Sequence, residues 1–409
     1  MQAAPYFSAD QFSSEDGELL INGLKVSRLA AMAGRTPFYA YDRSLIDARV
    51  GVLRRLLPAG VQLHYAMKAN PMPALVGFMA QRVDGLDVAS GGELRVALDA
   101  GMVPSRISFA GPGKSADELR QALAAGVLLN VESAREVELL ADLSEACGWP
   151  ARVAVRINPD FEMRASGMRM GGGAKPFGVD AEAVPALLGR IGELGLAFEG
   201  FHLYAGSQNL NADSLIDMQR RSFDLMLRLS AGAPVRPKTL NLGGGFGIPY
   251  FRNEQPLALE PVCDALAGIV GEARSKLPGA ELVVELGRYL VGEAGVYICR
   301  VVDCKVSRGQ TFVVVDGGMH HHLAASGNFG QVIRRNYPVL VANRMGAQAT
   351  GTVSVVGPLC TPLDLLADKV ELADVRPGDL VAVFQSGAYG FTASPLGFLG
   401  HPEPVQMLV

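Results

Sequence analysis

Eight short apolar segments recur along the first three quarters of the sequence, with room for a helix after each of them. Helical patterns at 92–100, 115–125 and 133–147 fill three of these intervals. Strand–helix units in series predict a parallel sheet, and eight of them favour a closed (β/α)8 barrel over an open, doubly wound sheet. The predicted strands are 62–68, 86–90, 107–111, 128–132, 152–158, 198–206, 239–245 and 281–287.

The pattern changes near Val296, where β-rich segments separated by Gly, Pro and Asp turns replace the strand–helix units. We therefore predict an α/β protein whose barrel is followed by a second, mostly β domain. The β-rich segments are 296–308, 311–316, 352–357 and 380–384. The predicted regions are an N-terminal segment (1–35) that packs with the β domain, the barrel (36–295) and the C-terminal β domain (296–409).

Composition restricts the class of protein. Of the 409 residues, 49% are hydrophobic and 19% are charged, which is typical of a globular chain. A formal net charge of -4 gives no reason to expect nucleic-acid binding, and no apolar run is long enough to span a membrane. The first residues lack the basic and apolar regions of a secretory signal, and five scattered cysteines suggest reduced thiols. We therefore expect a cytoplasmic protein with neither nucleic-acid nor membrane partners.

Chemically active side chains stand at the C-terminal ends of the predicted strands, where barrels of this kind build their active sites. Each residue alone has a structural alternative: an acid between a strand and a helix is often a helix cap, and a buried histidine is often a packed core residue. Their coincidence on one rim favours a functional site. The set is Lys68, Asp87, Glu132, Arg156, His202, Gly243–Gly245 and Glu285, with Arg288 just after.

Two of these strand ends suggest a cofactor. Lys68 ends an apolar strand before Asn70 and Pro71, and a partly desolvated lysine can attack a carbonyl to form a Schiff base. The run NLGGGFG at 241–247 exposes backbone N–H groups after a strand, as a phosphate site requires, but it is neither a P-loop nor a GxGxxG motif. A phosphate site opposite a lysine suggests pyridoxal phosphate (PLP).

Several motifs carry a resemblance. They are YAMKAN at 65–70, GFH at 200–202, GGG at 243–245 and ELGR at 285–288, with GPLC at 357–360 and GAY at 387–389. In this order they resemble the fold-type III PLP-dependent decarboxylases, which include the diaminopimelate, ornithine and arginine decarboxylases. The match runs from residue 36 to residue 400. It implies an alanine racemase-like barrel, a β domain, and a homodimer with active sites shared between its subunits.

The resemblance also implies roles. Lys68 resembles the lysine that holds PLP as a Schiff base, and His202 resembles the residue stacked on the cofactor ring. Glu285 resembles the acid that pairs with the pyridinium nitrogen, where a carboxylate keeps that nitrogen protonated and the ring a strong electron sink. Cys360, offered from the partner subunit, resembles the general acid that returns a proton after CO₂ loss. The predicted catalytic residues are Lys68, Cys360, Glu285 and His202. The predicted PLP-binding residues are Lys68, Asp87, Arg156, His202, Ser207, Gly243, Gly244, Gly245, Glu285, Gly287, Arg288 and Tyr389.

Two other activities of this fold fit the sequence less well. Alanine racemases resemble this chain less and place an arginine opposite the pyridine nitrogen, so Glu285 favours decarboxylation. Non-catalytic PLP-binding proteins are usually the barrel alone, so a β domain with Cys360 and Tyr389 argues against that reading. The spacing from His202 to Ser207 is two residues longer than in the usual His-x-Gly-Ser motif. This difference weakens the prediction that Ser207 binds the phosphate, and it does not affect the other predicted residues.

The sequence departs from the familiar decarboxylases around the specificity residues. Ornithine and diaminopimelate decarboxylases have an acidic residue directly after the catalytic cysteine, whereas this chain has Thr361. The neutral threonine predicts weaker binding of a distal substrate ammonium, unless Asp364 replaces that acid in part. The segment 317–330 contains three adjacent histidines, whose side chains diverge on a strand or helix, so we predict substrate contact or packing and no metal. The predicted substrate residues are His320, His321, His322, Asn328, Thr361 and Asp364.

The loop 161–178 and the histidine run are similar to a branch of the family linked to carrier-bound substrates and to exosortase A systems. One member decarboxylates a glutamyl group carried by an acyl-carrier protein. Carrier proteins are acidic, so a basic rim would suit one. We therefore predict a decarboxylase of an acidic or carrier-tethered amino acid, with free diaminopimelate, ornithine or lysine as the alternative substrates. The predicted basic rim is Arg164, Arg169, Lys175, Arg334 and Arg335.

Overall fold

The computed structural model describes residues 8–162, 168–169, 171–251, 253–329, 331 and 334–409, and it divides the chain into two compact units. The barrel unit contains Val50–Gly247 and Leu257–Gly287. The β unit contains the chain up to Arg49, together with Ile248–Pro256 and Arg288–Val409. Within the part of the chain that is described, no helix has the length and apolar character needed to cross a membrane.

The barrel unit is built on eight parallel strands that pair in sequence order, and the last strand pairs with the first. This closure confirms the predicted (β/α)8 barrel. Most strand positions are buried, because side chains fill the interior while helices cover the outside. The strands are Val61–Ala66, Gly85–Val88, Ile107–Phe109, Leu128–Val131, Arg152–Asn158, Ala197–Leu203, Thr239–Asn241 and Glu281–Leu286, and a short strand, Val179–Asp180, pairs with Arg152–Asn158.

Serine residues begin three of the helices that follow these strands. Ser90, Ser115 and Ser133 each accept a hydrogen bond from the backbone N–H three residues later, and Ser115 forms a full capping box with Glu118. These caps end each strand-to-helix loop at a defined residue. The helices that follow barrel strands are Pro73–Ala80, Gly91–Asp99, Ala116–Ala125, Ala134–Cys147, Val184–Glu193, Ala212–Ser230 and Leu259–Lys276, and the helix Arg43–Leu56 precedes the first barrel strand.

The β unit is organised around the long strand Gly295–Ser307, which pairs with three other strands along its length. One of them, Phe38–Tyr41, lies in the region that the sequence analysis assigned to the barrel. This pairing places the observed boundaries at 49/50 and 287/288, rather than at 35/36 and 295/296. The other strands are Ser14–Glu15, Glu18–Ile21, Leu24–Lys25, Gln310–Val315, Val339–Val341, Gly351–Val356, Leu365–Leu372, Leu380–Val383 and Val405–Leu408, and the helices are Val26–Ala33 and Arg288–Val291.

One hydrophobic cluster joins the first part of the chain to the strands of the β unit. Leu19, Ile21 and Leu29 are fully buried in it, beside Ile298 and Phe384. The cluster forms because strand Glu18–Ile21 buries alternate side chains, as expected for a strand with one face on a core. The N-terminal residues from Ala9 onward are therefore part of the core of this unit.

Candidate active site

The parallel register of the barrel brings the predicted strand-end residues to one end of the barrel unit. His202 pairs with Arg156 on one neighbouring strand and with Asn241 on the other. Glu285 pairs with His64, and Asp87 lies near the C-terminal end of the next strand. Since all eight strands point the same way, their C-terminal ends form one rim.

Lys68 follows the strand Val61–Ala66 in a single 3-10 turn, Met67–Ala69. Its Nζ lies 4.0 Å from Glu285 Oε1 and 4.9 Å from the centroid of the Tyr204 ring. The Tyr65 hydroxyl donates to the carbonyl of Asn70 at 2.9 Å and ties down the turn after the lysine. The strand, turn and tyrosine together hold the lysine amine above the barrel end.

Glu285 and His202 form a buried pair. His202 Nε2 lies 3.1 Å from Glu285 Oε2, and the two residues are 2% and 5% exposed. Burial by itself would raise the pKa of the Glu285 carboxyl, but the hydrogen bond from His202 and the charges of His202, Lys68 and Arg156 outweigh burial and lower the pKa. Glu285 is therefore an ionised carboxylate at neutral pH.

Asp87 is held in place by His64. His64 Nδ1 lies 3.1 Å from Asp87 Oδ1, and both residues are buried. Burial would lower the pKa of His64, yet the nearby carboxylates of Asp87, Glu285 and Asp84 raise it overall. Asp87 Oδ2 is buried and has no hydrogen-bond partner among the described residues, so this oxygen is available to a bound group.

Arg156 belongs to a second buried network on the same rim. Its Nη1 donates to Glu132 Oε1 at 2.8 Å, and the same carboxylate accepts from the N–H groups of Gly111 and Gly178. Burial would raise the pKa of Glu132, but Arg156, the Gly178 N–H and the charge of Lys114 lower it. Glu132, noted as a strand-end acid in the sequence, thus positions Arg156 in the structure.

Glu93 is a carboxyl group near enough to Lys68 to feel its charge, and the sequence did not single it out. Burial raises the pKa of its carboxyl, while the Ala89 N–H and the charge of Lys68 only partly oppose this effect. Its Oε2 accepts from Ala89 at 2.8 Å. The sequence signal was ambiguous, because an acid three residues after Ser90 is also the usual helix-capping position.

The glycine run fits a phosphate for two reasons. A side chain at Gly243 would meet Leu203 O at 2.6 Å, and a side chain at Gly244 would collide with Glu285 O, so only glycine allows this backbone to lie against both neighbouring strand ends. The Gly243 N–H donates to Asn241, whereas the N–H groups of Gly244 and Gly245 donate to none of the described residues. Two adjacent open donors are the group that a phosphate needs.

The barrel residues therefore fit PLP. The lysine amine, the ionised Glu285 and the open glycine N–H groups supply the contacts that this cofactor requires. His202 Nδ1 is also buried without a partner among the described residues, as expected if a bound molecule completes its surroundings. Ser207 pairs with Met168 in a short antiparallel ladder, and Gly287 packs against Ala66 O, so the predicted cofactor contacts of both remain predictions.

In the β unit, Arg288 and Tyr389 lie together. The guanidinium carbon of Arg288 is 4.6 Å from the centroid of the Tyr389 ring, and Arg288 Nη1 donates to the Tyr250 hydroxyl at 2.7 Å. Arg288 Nε is buried without a partner among the described residues. Tyr389 has a left-handed backbone (φ 54°), a strained conformation for a tyrosine that is often found at functional positions.

Cys360 is exposed on a loop that a buried carboxylate shapes. Asp364 Oδ1 accepts from the Met319 N–H at 2.6 Å and Oδ2 accepts from the Leu359 N–H at 2.8 Å. Gly318 and Gly357 press so closely on this carboxylate that neither position has space for a side chain. Asp364, which the sequence suggests as a partner for a distal substrate ammonium, is thus bound to backbone N–H groups of the protein itself.

The three histidines of the segment 317–330 are fully buried in the β unit. Burial lowers the pKa of His320 to about 4 and those of His321 and His322 to about 3, so all three are neutral at pH 7. His322 Nε2 lies 2.9 Å from Ser386 Oγ, and its Nδ1 accepts from Ala325, so this ring packs inside the unit. Asn328 is exposed and donates to Leu363 O at 3.3 Å, beside Thr361.

The basic rim is only partly described. Arg164 lies outside the described residues, and only the backbone of Arg169 is described. Arg334 is half-buried and donates to Leu365 O, and Arg335 Nη2 lies 3.3 Å from Glu254 Oε1. Both of these arginines therefore have partners within the chain.

Comparisons with known proteins identify the family of this chain. Residues 43–292 match the family model of the pyridoxal-dependent decarboxylases, pyridoxal binding domain. The chain is 40% identical over 379 residues to the L-glutamyl-[BtrI acyl-carrier protein] decarboxylase of Niallia circulans, covering 91% of this chain and 88% of that protein. It is 34% identical over 396 residues to the diaminopimelate decarboxylase of Pseudomonas aeruginosa, covering 94% and 90% of the two chains.

The fold is also that of a solved enzyme. The diaminopimelate decarboxylase from M. jannaschii, in co-complex with L-lysine, superposes with a TM-score of 0.88 at 26% identity, over 99% of this chain and 94% of that one. The family match covers more than half of the chain, and it falls on the barrel that carries Lys68, His202 and Glu285. This chain therefore belongs to the pyridoxal-dependent decarboxylase family and is a PLP-dependent amino-acid decarboxylase.

Proposed function

We propose that this enzyme removes the α-carboxyl group of an acidic aminoacyl group, such as glutamyl, that is tethered to a carrier protein. The observation that carries the proposal is the state of Asp364. Both of its oxygens accept backbone hydrogen bonds, and the residue is only 3% exposed. With neutral Thr361 after Cys360, the loop offers no available carboxylate to a distal ammonium, so a diamino acid lacks its partner here.

The relatives support the same substrate class. The glutamyl-carrier decarboxylase is 40% identical to this chain, whereas the diaminopimelate decarboxylase of P. aeruginosa is 34% identical over a similar length. A glutamyl group joined to a carrier through a thioester has no distal ammonium to bind. A loop with a threonine in place of the acid suits such a substrate.

PLP, when bound, withdraws electrons from the α-carbon of the substrate and so allows CO₂ to leave. In our proposal the chain supplies the other parts of the chemistry. Lys68 would offer the primary amine that holds the cofactor. Glu285, kept ionised by its neighbours, holds a proton at the ring nitrogen, and the Cys360 thiol returns a proton to the α-carbon.

We also propose a homodimer in which Cys360 serves the active site of the partner subunit. The exposed position of this thiol on a rigidly anchored loop supports such a role. All five cysteines are free thiols, as expected in a reducing compartment, so the proposal also includes a cytoplasmic location. Light scattering during size-exclusion chromatography measures the subunit number, and a monomer that is fully active would contradict the shared site.

A second candidate is the decarboxylation of free diaminopimelate. Its support is the similarity to diaminopimelate decarboxylases over more than 90% of the chain, including a structure in complex with L-lysine. Under this reading a group other than Thr361 or Asp364 must hold the distal ammonium. The two candidates therefore predict different substrates for the same barrel chemistry.

Mass spectrometry of CO₂ loss separates the candidates. The purified enzyme with PLP is offered free diaminopimelate, lysine, ornithine and glutamate, and in parallel a carrier protein loaded with glutamate. We expect the mass of one CO₂ to be lost from the loaded carrier and little turnover of the free amino acids. Efficient turnover of diaminopimelate, with an unchanged carrier, would overturn the proposal.

Two variants test the assigned roles. Lys68→Ala should abolish the covalent PLP adduct that borohydride reduction fixes, which intact-protein mass spectrometry detects. Cys360→Ala should still form that adduct but should lose formation of the correct amine. An adduct that persists in Lys68→Ala, or a Cys360→Ala enzyme as active as the native one, would contradict the corresponding role.

A further inference from the structure

A groove lies on one face of the sheet in the β unit, beside the loop that carries Cys360. Its volume is about 520 Å³, which is within the range of small-molecule sites. The pairing of the strands defines its floor. Phe312 pairs with Lys305 on one side and with Ser354 on the other, so the three side chains lie on the same face of the sheet.

The groove has an apolar floor and one polar wall. Phe312, Val314 and Val356 are half-buried and form the floor. On the wall, Gln310 Nε2 donates to Ser354 Oγ at 3.0 Å, and Ser354 Oγ is itself 2.9 Å from Asp368 Oδ1. A chain of amide, hydroxyl and carboxylate groups therefore runs beside an apolar strip.

The two ends of the groove differ in chemistry. At one end it is lined by Leu359 and Thr361, the neighbours of the exposed Cys360 in the sequence. Toward the other end, beside Phe312, it is lined by Lys305, which is exposed and forms no salt bridge with any of the residues described. One end thus lies on the loop of the exposed Cys360, and a positive charge lines the groove beside Phe312.

We propose that this groove binds the phosphopantetheine arm of a carrier-linked substrate, with the phosphate toward Lys305 and the thioester toward Cys360. The inference rests on the proposed function, because only a carrier-tethered substrate brings such an arm. It adds a binding site for the arm that is distinct from the PLP residues of the barrel. Phe312 and Lys305 would be the residues that recognise the arm.

The chemistry of the arm matches the groove along its length. From the phosphate onward the arm has a geminal dimethyl group, two amides and a methylene chain that ends in sulfur. The dimethyl and methylene groups suit the floor at Phe312 and Val314, and the amides suit the side-chain amide of Gln310 on the wall. Lys305 would attract the phosphate charge.

The dimensions also agree. The arm is as long as an extended peptide of five or six residues, roughly 18 Å. The strand from Val314 to Phe312, the residue that pairs with Lys305, advances two residues, or about 7 Å, and the groove continues beyond Val314 along the loop to Thr361. A free amino acid is far too short to span this length, so we expect only a tethered substrate to occupy the groove.

The test compares substrates that carry increasing lengths of the arm. Kinetic constants of the PLP-loaded enzyme are measured for glutamyl-N-acetylcysteamine, glutamyl-pantetheine, glutamyl-phosphopantetheine and the glutamyl-loaded carrier. The variants are Phe312→Ala and Lys305→Ala. Their matched controls are Thr311→Ala and Val306→Ala, at adjacent positions whose side chains lie on the opposite face of the same two strands. Binding of free phosphopantetheine is measured by calorimetry.

We expect Phe312→Ala to raise KM about tenfold for all substrates longer than the acetylcysteamine ester, since it removes apolar contact. Lys305→Ala should raise KM about fivefold only for the phosphorylated arm and the carrier, and it should weaken phosphopantetheine binding to the same degree. The controls should match the native enzyme. The kcat for the short ester should not change in any variant.

The outcomes separate the site from the function. Turnover of the carrier substrate with KM unchanged in both variants would overturn the groove while leaving the proposed function intact. No turnover of any thioester by the native enzyme would overturn the function and the groove with it. If Phe312→Ala instead converts the enzyme to monomers and impairs every substrate equally, the groove is an interface between two copies of this chain and the proposal is wrong.

Discussion

Replacing Asp364 by asparagine tests how the loop that presents Cys360 is held. The native carboxylate accepts one hydrogen bond on each oxygen, from the N–H groups of Met319 and Leu359. Asparagine retains only one acceptor oxygen, and its NH₂ group must then face the other backbone N–H. One charge-assisted hydrogen bond is lost and one buried donor is left without a partner, so we expect a loss of about 2 kcal/mol in the free energy of unfolding.

The assay for this substitution has two parts. Urea unfolding measures the free energy, and alkylation by iodoacetamide measures the accessibility of Cys360 in the folded protein. We expect Asp364→Asn to lower the urea midpoint and to change the alkylation rate of the thiol, with a fall in kcat. Asp303→Asn is the matched control, because Asp303 is an exposed acid in the same unit that also accepts a backbone N–H, and we expect no resolvable change there.

One result would refute this reasoning. Burial raises the pKa of Asp364, and the backbone donors only partly offset that effect. If Asp364 were protonated at pH 7, one oxygen would already carry a hydrogen, and asparagine would imitate it with little cost. An Asp364→Asn variant as stable and active as Asp303→Asn would therefore show that the ionised carboxylate does not anchor the loop, and the argument from Asp364 to the substrate class would fail.

Three further predictions follow from other contacts. Neighbouring carboxylates raise the pKa of His64 above 6.5, so its charged form stabilises the folded protein at low pH. The difference in free energy of unfolding between the native protein and His64→Gln should therefore be greatest below pH 6.5 and should shrink as the pH rises through the raised pKa. Urea midpoints at several pH values measure this difference. Gly244→Ala should lower the free energy of unfolding by about 1–3 kcal/mol and abolish the absorbance of bound PLP, because the added methyl group collides with Glu285 O. Gly268→Ala, at an open position in a helix, is the control and should not destabilise the protein. Thr361→Asp should raise kcat/KM for free diamino acids about tenfold by supplying a partner for the distal ammonium, and no change would indicate that position 361 does not contact this group.

The barrel could be predicted from the sequence because each of its strands and helices is indicated by a short, continuous stretch of residues. Each strand is a short apolar run followed by a helix, and parallel strands bring their ends together whatever their exact lengths. The sequence therefore predicts Lys68, His202 and Glu285 as neighbours, and the observed distances between them agree. Their roles with PLP rest on the family resemblance and stay predictions.

The features that could not be predicted depend on contacts between distant parts of the chain. The strand Phe38–Tyr41 joins the β unit because it pairs with Gly295–Ser307, more than 250 residues later, and nothing in its own residues indicates that partner. His322, a predicted substrate residue, instead packs inside the β unit, because its ring contacts Ser386. Glu93 was hidden by its position, since the same residue type is expected there as a helix cap.

Asp364 shows how such a distant contact can change a functional conclusion. From the sequence, an acid three residues after Thr361 is a reasonable replacement for the acid that diaminopimelate and ornithine decarboxylases place beside their cysteine. In the structure, the carboxylate is enclosed by Gly318 and Gly357 and bound to two backbone N–H groups. A group that is needed to shape the loop cannot also pair with a substrate ammonium without releasing the loop. The absence of a free acid at this loop thus follows from how the loop is built, and it favours a substrate without a distal amine.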